Sequence, residues 1–370
     1  MCGILGRVSI KNKTYGKIDV DNFNDALDLQ SHRGPDGRGV YKNDKFIFGH
    51  RRLSIIDLKS QSDQPMISKC GNYILVFNGE IYNYLELKKN LINKGHIFNT
   101  SSDTEVLLNS FIEYGISCIE SFIGMFSFSI FNKIKNEFFI VRDRLGIKPL
   151  YYTKDNEEII FSSEIKSILK IDKSYAKLNK QAISSYMSFR YPILSGTFFQ
   201  NINSLAPAHY IKVSKASKIE IVEYWNLCDS FKEQVNDHGE EYYIKRLKVL
   251  LESSVRYRLI SDVPFGAFLS GGVDSSIITS IMSKNTKSPI KTYCVGFKEK
   301  DYNEFKYAKL IASKLKTDHH EIIVTCEDYM TTMNELISYK DAPLSVPNEV
   351  PLYLMCKELK KKITVVLSGE

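Results

Sequence analysis

The chain has 370 residues, of which 43% are hydrophobic, 12% aromatic and 25% charged. This balance is typical of globular proteins and excludes disordered, collagen-like and coiled-coil chains, and the length favours two domains. The 50 Lys and Arg against 43 Asp and Glu give a net charge of +7, and because basic residues alternate with acidic ones, we expect no nucleic-acid partner.

The first 170 residues predict many short strands and a few helices, which is an α+β pattern. The strand candidates are rich in aromatic and β-branched residues and lie at 45–50, 73–78, 125–131 and 137–141. Helices are predicted at about 21–30, capped by Asp21 or Asn22, at 84–94, and at about 103–114, capped by Ser102 or Asp103.

The pattern changes to polar residues between about 200 and 240. We predict a first domain over 2–215, a linker over 216–240 and a second domain over 241–370. Strands alternate with helices in the second domain, which indicates a parallel sheet with crossover helices. Its predicted elements are helix 241–260, strand 263–269, a helix from about 274, strand 291–297, helix 303–315, strand 320–325, helices 327–338 and 351–360, and strand 363–367. Because the chain stops directly after an apolar strand, we expect this domain to be truncated.

The composition gives no sign of membrane insertion or export. No apolar run approaches the ~20 residues of a membrane span, and the segment MCGILGRVSI lacks a basic flank and a cleavage signature. Seven cysteines are scattered without a CxxC pair, which predicts neither a zinc site nor a disulfide framework. We therefore expect a cytoplasmic protein with no membrane partner.

Cys2 is the first candidate for chemistry. If Met1 is removed, Cys2 carries a thiol and a free α-amine on one residue. An α-amine has a pKa of about 7.7–8.0, so near neutral pH it can act as the general base for its own nucleophile. A cysteine at position 2 taken alone is more often a tolerated small residue, so the interpretation depends on its neighbours.

Three polar segments accompany Cys2 in apolar surroundings: HRGPD (32–36), HRRLS (50–54) and NGEIYN (78–83). The pair Asn78-Gly79 can offer a side-chain amide and a backbone N–H to one oxygen, as an oxyanion hole requires, although a hairpin turn is the commoner role of Asn-Gly. Arg52 can hold a substrate carboxylate, and Glu80 and Asp103 an ammonium. Together these groups suit an α-amino acid whose side-chain carbonyl is attacked by Cys2.

This half of the chain resembles the class II (N-terminal nucleophile, or Ntn) glutamine amidotransferases, specifically the glutaminase half of glutamine-hydrolysing asparagine synthetases. The matching stretches, in the family's order, are MCGI, HRGPD, HRRLSIID, QPM, NGEIYN, SSDTEV, GMFSFSI and RDRLGIKPLYY. The resemblance implies an αββα sandwich with Cys2 as the nucleophile on glutamine and Asn78 and Gly79 as the oxyanion hole. It also implies a glutamine-binding set of Arg52, Leu53, Ser54, Ile55, Ile56, Asn78, Gly79, Glu80 and Asp103. The RDRLGIKPLYY run (142–152) is expected to be structural, on a strand and turn facing the second domain.

In the second half, LSGGVDSS (269–276) lies between an apolar strand and an apparent helix. Glycines permit close approach of the backbone, and successive N–H groups with the helix N-terminus favour an anion. Asp274 adds a carboxylate where a phosphate-bound Mg²⁺ would sit. No GK[ST] follows, so the loop is not a Walker A motif. The alternative is a Ser/Gly turn that only caps a helix.

SGGVDSS resembles the pyrophosphate-binding loop of the ATP pyrophosphatases, and DVPFG (262–266) precedes it as in asparagine synthetases. The resemblance implies an ATP and pyrophosphate site. Its residues would be Leu269, Ser270, Gly271, Gly272, Asp274, Ser275, Ser276, Val295, Ser368 and Gly369. Glu370 matches a glutamate that helps to form and use a β-aspartyl-AMP intermediate. ATP as a substrate and Mg²⁺ are expected, without a tightly bound organic cofactor.

Two further groups are weaker candidates. His319 and His320 are neighbours on a predicted strand and so point to opposite faces, which disfavours a metal site. Asp341-Ala342-Pro343 is a candidate for the acceptor site, but a turn before a helix explains it equally well.

The two halves together predict an enzyme that amidates L-aspartate to L-asparagine with ammonia from glutamine, with AMP and pyrophosphate as products. The family also implies a protected passage for ammonia, and a homodimer is kept open. The main rival is a relative that amidates another carboxylate, such as a sugar acid, because SYKDAPLSVPNEVP (338–351) does not match the equivalent stretch of every asparagine synthetase. An RNA-adenylating enzyme is disfavoured by the lone cysteines, and a glutaminase-only fragment is the third alternative.

Overall fold

The computed structural model describes residues 1–11, 13–193, 195–214, 218–231, 236–299 and 303–369. The chain divides into two compact units, residues 1–234 and 235–370. None of the described helices is long and apolar enough to cross a membrane.

The first unit contains two six-stranded sheets whose strand pairs are antiparallel. Its elements are β1 (Gly3–Ser9), α1 (Lys17–Asp28), β2 (Gly37–Lys42), β3 (Phe46–Arg52), β4 (Met66–Ile67), β5 (Tyr73–Ile81), α2 (Tyr84–Asn93), α3 (Asp103–Tyr114), β6 (Gly124–Asn132), β7 (Glu137–Arg142), β8 (Tyr151–Lys154), β9 (Glu158–Ser162), α4 (Ile165–Ile171), α5 (Lys180–Phe189), β10 (Asn203–Ser204), β11 (His209–Val213) and β12 (Ile219–Glu223). The first sheet has the order β10-β8-β9-β1-β3-β2 and the second β12-β11-β7-β6-β5-β4.

The two sheets pack face to face because their strands alternate between two buried faces. In β3, Phe46 and Phe48 join a core that also contains Phe131 and Phe138 of the second sheet. Ile47, between them, faces the other way and packs against Phe23 and Leu27 of α1.

Helices cover the outer faces. The outer face of the second sheet carries α3, where the ring of Phe111 lies 5.4 Å from that of Phe139, while α1 covers the first sheet. The order helix, sheet, sheet, helix confirms the αββα prediction.

Helix α1 starts earlier than predicted, at Lys17 and not near Asp21. The reason is a local cap: the Asp19 carboxylate accepts the backbone N–H of Gly16 at 3.0 Å, which fixes the first turn there. The prediction for α3 is confirmed, because Ser102 Oγ accepts the N–H of Glu105 at 3.3 Å as an N-cap should.

The second unit is built on a four-stranded parallel sheet of order β15-β14-β13-β16, as predicted. Its elements are α6 (Glu240–Arg258), β13 (Phe265–Phe268), α7 (Val273–Lys284), β14 (Lys291–Phe297), α8 (Phe305–Leu315), β15 (Asp318–Val324), α9 (Cys326–Lys340), α10 (Glu349–Leu359) and β16 (Val365–Leu367). Strand β12 lies within the stretch 216–240 that we predicted as a linker, and it pairs with β11 in the first unit.

Candidate functional site

Cys2 lies immediately before β1 and is fixed on two sides. Its Sγ accepts the backbone N–H of Leu53 at 3.4 Å and lies 3.6 Å from the Leu53 carbonyl oxygen, to which the thiol can donate. Arg33 Nε donates to the backbone carbonyl of Cys2 at 3.0 Å. The end of β3 and the turn after α1 thus hold both the side chain and the backbone of Cys2.

A small cavity of about 50 Å³ surrounds Cys2, and Met1 is part of its wall. The predicted residues that line it are Cys2, Arg52, Leu53, Ile55, Ile56, Asn78, Gly79, Glu80 and Asp103. Ser54 does not line it; its backbone N–H donates instead to the Asp36 carboxylate at 2.8 Å. The structure therefore brings together nearly all of the predicted glutamine-binding set.

Asn78 and Gly79 lie inside strand β5, not in a hairpin turn. The Asn78 side chain is buried, and neither its amide nitrogen nor its amide oxygen has a hydrogen-bond partner among the described residues. Gly79 has no room for a side chain, because a Cβ would lie 2.3 Å from the Met125 carbonyl oxygen. A buried amide without partners is costly for the fold, and this one lies in the wall of the cavity that contains Cys2.

Arg52 is anchored by the loop that follows β3. Its guanidinium donates to the Asp63 carboxylate at 2.7 Å, to the Lys59 carbonyl at 2.9 Å and to the Asp57 carbonyl. The Asp57 carboxylate in turn accepts the N–H of Ser101 at 2.7 Å. These contacts fix the guanidinium at the cavity wall.

The charged groups of the cavity are perturbed mainly by burial. Burial raises the pKa of Asp103 to about 7, and the nearby Glu80 carboxylate adds to this increase. Burial lowers the pKa of the α-amine of Met1 to about 5 and raises that of the Cys2 thiol.

Two cavity features were missed in the sequence. Lys148 lines the cavity, although its run was predicted to be structural. Gln64 also lines it, and its side-chain oxygen accepts the N–H of Phe77 at 2.6 Å, which couples the loop before β4 to β5. The signal available for Lys148 was a lone lysine between apolar residues, in GIKPL (146–150).

The loop between β13 and α7 is folded tightly in the second unit. Ser270 Oγ accepts the N–H of Gly272 at 3.2 Å and lies 3.1 Å from Ser275 Oγ. Gly271 has φ +86°, and a Cβ there would lie 2.5 Å from the backbone of Tyr307. The loop therefore requires glycine at 271, while the first turn of α7 leaves its N–H groups open to an anion.

A cavity of about 620 Å³ lies at the carboxyl ends of the parallel strands. The predicted residues that line it are Leu269, Ser270, Gly272, Asp274, Ser275, Val295, Ser368 and Gly369. Gly271 and Ser276 do not line it. Glu370 lies outside the described residues.

The structure gives the surroundings of the weaker candidates. Among the described residues no cluster of three or more His, Cys, Asp or Glu side chains could hold a metal ion. His319 Nδ1 lies within hydrogen-bond distance of Thr292 Oγ1, at 3.0 Å. Asp341 ends α9 in the left-handed conformation and does not line the cavity, whereas Asn348 and Glu349 do.

Comparison with known proteins decides the family. Residues 1–225 match the family model described as "Glutamine amidotransferase domain" and residues 246–370 the model "Asparagine synthase". Asparagine synthetase [glutamine-hydrolyzing] 1 of Bacillus subtilis is 36% identical over 371 residues, covering 100% of this chain and 57% of that protein. A Methanocaldococcus jannaschii relative named for the same synthetase is 35% identical over 392 residues, covering 100% of this chain and 74% of the relative. The chain belongs to the family of glutamine-hydrolysing asparagine synthetases.

The match extends over the whole chain but not over the whole length of the relatives. Asparagine synthetase [glutamine-hydrolyzing] 3 of B. subtilis is 34% identical over 393 residues, which cover 100% of this chain and 62% of that protein. The chain thus spans about three-fifths of the two B. subtilis asparagine synthetases. Both the Cys2 cavity and the larger cavity of the second unit fall within this shared part.

Proposed function

We propose that this chain hydrolyses glutamine at Cys2 and uses the ammonia to amidate L-aspartate: L-aspartate + L-glutamine + ATP + H₂O → L-asparagine + L-glutamate + AMP + PPi. The observation that carries the first half is the buried Asn78 amide, which has no partner among the described residues and lines the same cavity as Cys2. We further propose a glutaminase domain that begins at residue 2 and includes β12, followed by a linker and by a synthetase domain over 241–370.

Glutamine hydrolysis requires removal of Met1, which converts the Cys2 nitrogen into the α-amine. This amine takes the thiol proton, and Sγ attacks the side-chain carbonyl of glutamine. The Asn78 amide N–H and the Gly79 backbone N–H stabilise the oxyanion, because each is fixed in β5 before the charge develops. The C–N bond breaks with transfer of the proton to the leaving ammonia, and water then hydrolyses the thioester to glutamate.

The remaining cavity residues bind the two ends of the amino acid. The Arg52 guanidinium takes the α-carboxylate, for which its planar donors are suited. The carboxylates of Glu80 and Asp103 take the α-ammonium. Asp103 has a pKa of about 7 because it is buried, and a bound ammonium favours its charged form. The backbone from Leu53 to Ile56 completes the pocket.

In the second unit, the loop 269–276 and the N-terminus of α7 are proposed to bind the phosphates of ATP, with Val295 beside the adenine. Mg²⁺ fits the donor set: the exposed Asp274 is a single carboxylate at the cavity, which suits an ion held mostly by phosphate oxygens and water. A Mg²⁺ ion held there by Asp274 would supply positive charge to the phosphates. Glu370 is proposed to help form and use β-aspartyl-AMP.

The identity of the acceptor carboxylate is the part of this proposal that has an alternative. Asn348 and Glu349, from the segment that differs among asparagine synthetases, line the ATP cavity together with Val346. Glu349 accepts Lys340 Nζ at 2.5 Å and the N–H of Ser345 at 3.0 Å. Because this segment borders the nucleotide cavity, a change of acceptor to another carboxylate, such as a sugar acid, would act through it.

Pyrophosphate release tests the proposal. The chain, with Met1 removal verified by intact mass, is incubated with ATP, Mg²⁺ and glutamine against a panel of carboxylates that includes L-aspartate. We expect release with aspartate alone, accompanied by asparagine. Release with a different carboxylate would replace the substrate, and glutamate without any pyrophosphate would remove the synthetase half of the proposal. Cys2→Ala, supplied with ammonia, is the control that separates the two activities.

A further inference from the structure

The Cys2 cavity contains a buried lysine that the mechanism above does not use. Lys148 is 3% exposed and lines the same cavity as Cys2, Glu80 and Asp103. Within the part of the chain that the structure describes, no carboxylate forms an ion pair with its ammonium. A buried cation without a salt bridge is expensive for the fold.

The turn that carries Lys148 holds it rigidly. The buried Asp143 carboxylate accepts four backbone N–H groups: from Leu145 at 3.1 Å, Ile147 at 3.0 Å, Lys148 at 3.0 Å and Phe126 at 3.1 Å. Arg142 Nε donates to the Lys148 carbonyl at 2.8 Å. Both backbone groups of Lys148 are therefore held by charged side chains at the end of β7.

The turn does not by itself require a charged side chain at position 148. The same turn would form with an apolar residue at 148, because Asp143 and Arg142 contact only the backbone of that position. An apolar side chain would also avoid the cost of burying an ammonium. The turn therefore does not explain why a lysine stands there, and a use for its charge in the cavity does.

We propose that Lys148 is a positioning residue of the glutamine-hydrolysing site, whose ammonium favours negative charge on Cys2 Sγ as the thiol proton leaves for the α-amine. This inference rests on the proposed function for its role in turnover. The step itself is unchanged: the Sγ–C bond forms, the C–N bond breaks, and the proton passes through the amine to ammonia. Lys148 acts through space on Sγ and exchanges no proton.

The charges around Sγ agree with this role. Burial is the largest influence on the Cys2 thiol and raises its pKa. The backbone hydrogen bond from Leu53, the charge of the Met1 α-amine and the Lys148 ammonium oppose the increase, and the Asp103 carboxylate adds to it. Burial lowers the pKa of the Lys148 ammonium, whereas the negative charges of Glu80 and Cys2 raise it. With Met1 present, the charges of Arg33 and Lys148 both lower the pKa of the Met1 α-amine. Lys148 is thus a cation that counteracts the desolvation of the nucleophile.

The test compares Lys148→Met, which keeps the length and removes the charge, with Lys148→Arg, which keeps the charge. Lys212→Met is the matched control. Lys212 lies on β11, forms an ion pair with Glu137 at 2.8 Å and does not line the cavity. The 370-residue chain without Met1 is alkylated with iodoacetamide from pH 6 to 10, and modification is followed on the peptide that contains Cys2. Glutamate release is measured in parallel.

We expect Lys148→Met to alkylate Cys2 about 10-fold more slowly at pH 7, with the pH midpoint shifted upward, because the loss of a nearby charge in a poorly solvated cavity raises the thiol pKa. Lys148→Arg and Lys212→Met should stay within about 3-fold of the unsubstituted chain. The melting temperature of Lys148→Met should be equal or higher, since a buried charge is removed.

An unchanged Cys2 pH profile in Lys148→Met would overturn the inference. Equal slowing in Lys148→Arg would do the same, since shape and not charge would then matter, as would a Lys148→Met chain that fails to fold. Alkylation needs no glutamine. If the unsubstituted chain released no glutamate, the proposed function would fail while the shifted alkylation profile would still support the role of Lys148.

Discussion

Arg33 donates from Nε to the backbone carbonyl of Cys2 at 3.0 Å, and the same guanidinium is held at 3.1 Å by Glu164, which lies far along the chain. Glu164 also accepts His32 Nε2 at 2.8 Å and Lys166 Nζ at 3.0 Å. The orientation of the nucleophile thus depends on a cluster of charges that touches neither Sγ nor the cavity.

Replacement of Glu164 by Gln should loosen this anchor. Burial alone would raise the pKa of Glu164, but the hydrogen bond from His32 and the charges of Arg33 and Lys166 lower it to about 2. A depressed acid pKa stabilises the fold above its unfolded value of 4.5, and this contribution is lost as the pH falls through about 2. We expect Glu164→Gln to cost about 2 kcal/mol of unfolding free energy at pH 7. The free energy of unfolding should also depend less on pH in the acid range than it does in the unsubstituted chain.

Urea unfolding from pH 7 to 2 measures this effect, with glutamate release as the second readout. The control is Glu113→Gln, because the Lys94–Glu113 pair lies on a solvent-exposed surface, where water screens the attraction between the two charges. Equal losses in the two variants would contradict a special role for Glu164.

Asn78 and Asn83 form a matched pair for separating function from stability. Asn78 has no partner among the described residues, whereas Asn83 donates to the Ser121 carbonyl at 3.0 Å and accepts the N–H of Ile123 at 3.0 Å. We expect Asn78→Ala to lower kcat for glutamate release about 100-fold with little loss of stability, since no hydrogen bond is broken. Asn83→Ala should instead cost about 1–3 kcal/mol and change kcat much less.

Steady-state kinetics and thermal unfolding of both variants provide the comparison. A normal turnover rate in Asn78→Ala would remove this amide from the oxyanion hole. A large stability loss in the same variant would show that the amide has structural partners.

The pH dependence of glutamine binding should follow Asp103. Its pKa is raised by burial from 3.8 to about 7, so at pH 6 the folded protein keeps a proton on this carboxyl. Because the charged form binds an ammonium, the apparent KM for glutamine should fall as the pH rises through about 7. For the same reason, the free energy of unfolding should fall as the pH rises between 3.8 and about 7, because the unfolded chain releases a proton that the folded chain retains.

Asp103→Asn should abolish both trends, as measured by KM from pH 6 to 8.5 and by unfolding over the lower range. A KM that varies with pH in the same way in Asp103→Asn would assign the titration to another group.

Gly271 and Gly272 should respond differently to alanine. Gly271 has φ +86°, and a Cβ would lie 2.5 Å from the Tyr307 backbone; the nearest atom to a Cβ at Gly272 is the Ser270 hydroxyl oxygen at 3.3 Å. We expect Gly271→Ala to cost about 2 kcal/mol or more and to weaken ATP binding. Gly272→Ala should fold almost normally. Calorimetry of unfolding and of ATP binding tests this, and similar effects of the two substitutions would contradict the geometry.

Much of this fold was predictable because its local signals agree with the tertiary contacts. Helix α3 begins at its Ser102 cap, and β14 covers the predicted residues 291–297. The predicted start of α1 was wrong because two acids, Asp19 and Asp21, lie close together near the first turn, and only the backbone conformation decides which of them accepts the free N–H.

The cavity was harder to predict where a residue reaches it through packing alone. Cys2, Arg52 and Asp103 could be selected from the sequence because a thiol, a guanidinium and a carboxylate are groups that catalytic and binding sites commonly use. Lys148 stands in a run whose glycine and proline indicate a turn, and only the fold of β7 and the following turn brings it to Cys2. Ser54 shows the reverse: it lies between residues that line the cavity, yet its own N–H is bound by Asp36.

The parallel sheet has a consequence for biosynthesis. Of the residues that the structure describes, none beyond Lys148 lines the Cys2 cavity, and the last strand of the two sheets around it is β12. The larger cavity of the second unit is lined in part by Ser368 and Gly369, which follow β16, and β16 pairs with β13, with Val365 opposite Phe265. Since domains fold as units during synthesis, N-terminal first, we expect a nascent chain on the ribosome to complete the Cys2 cavity while β16 has yet to be translated.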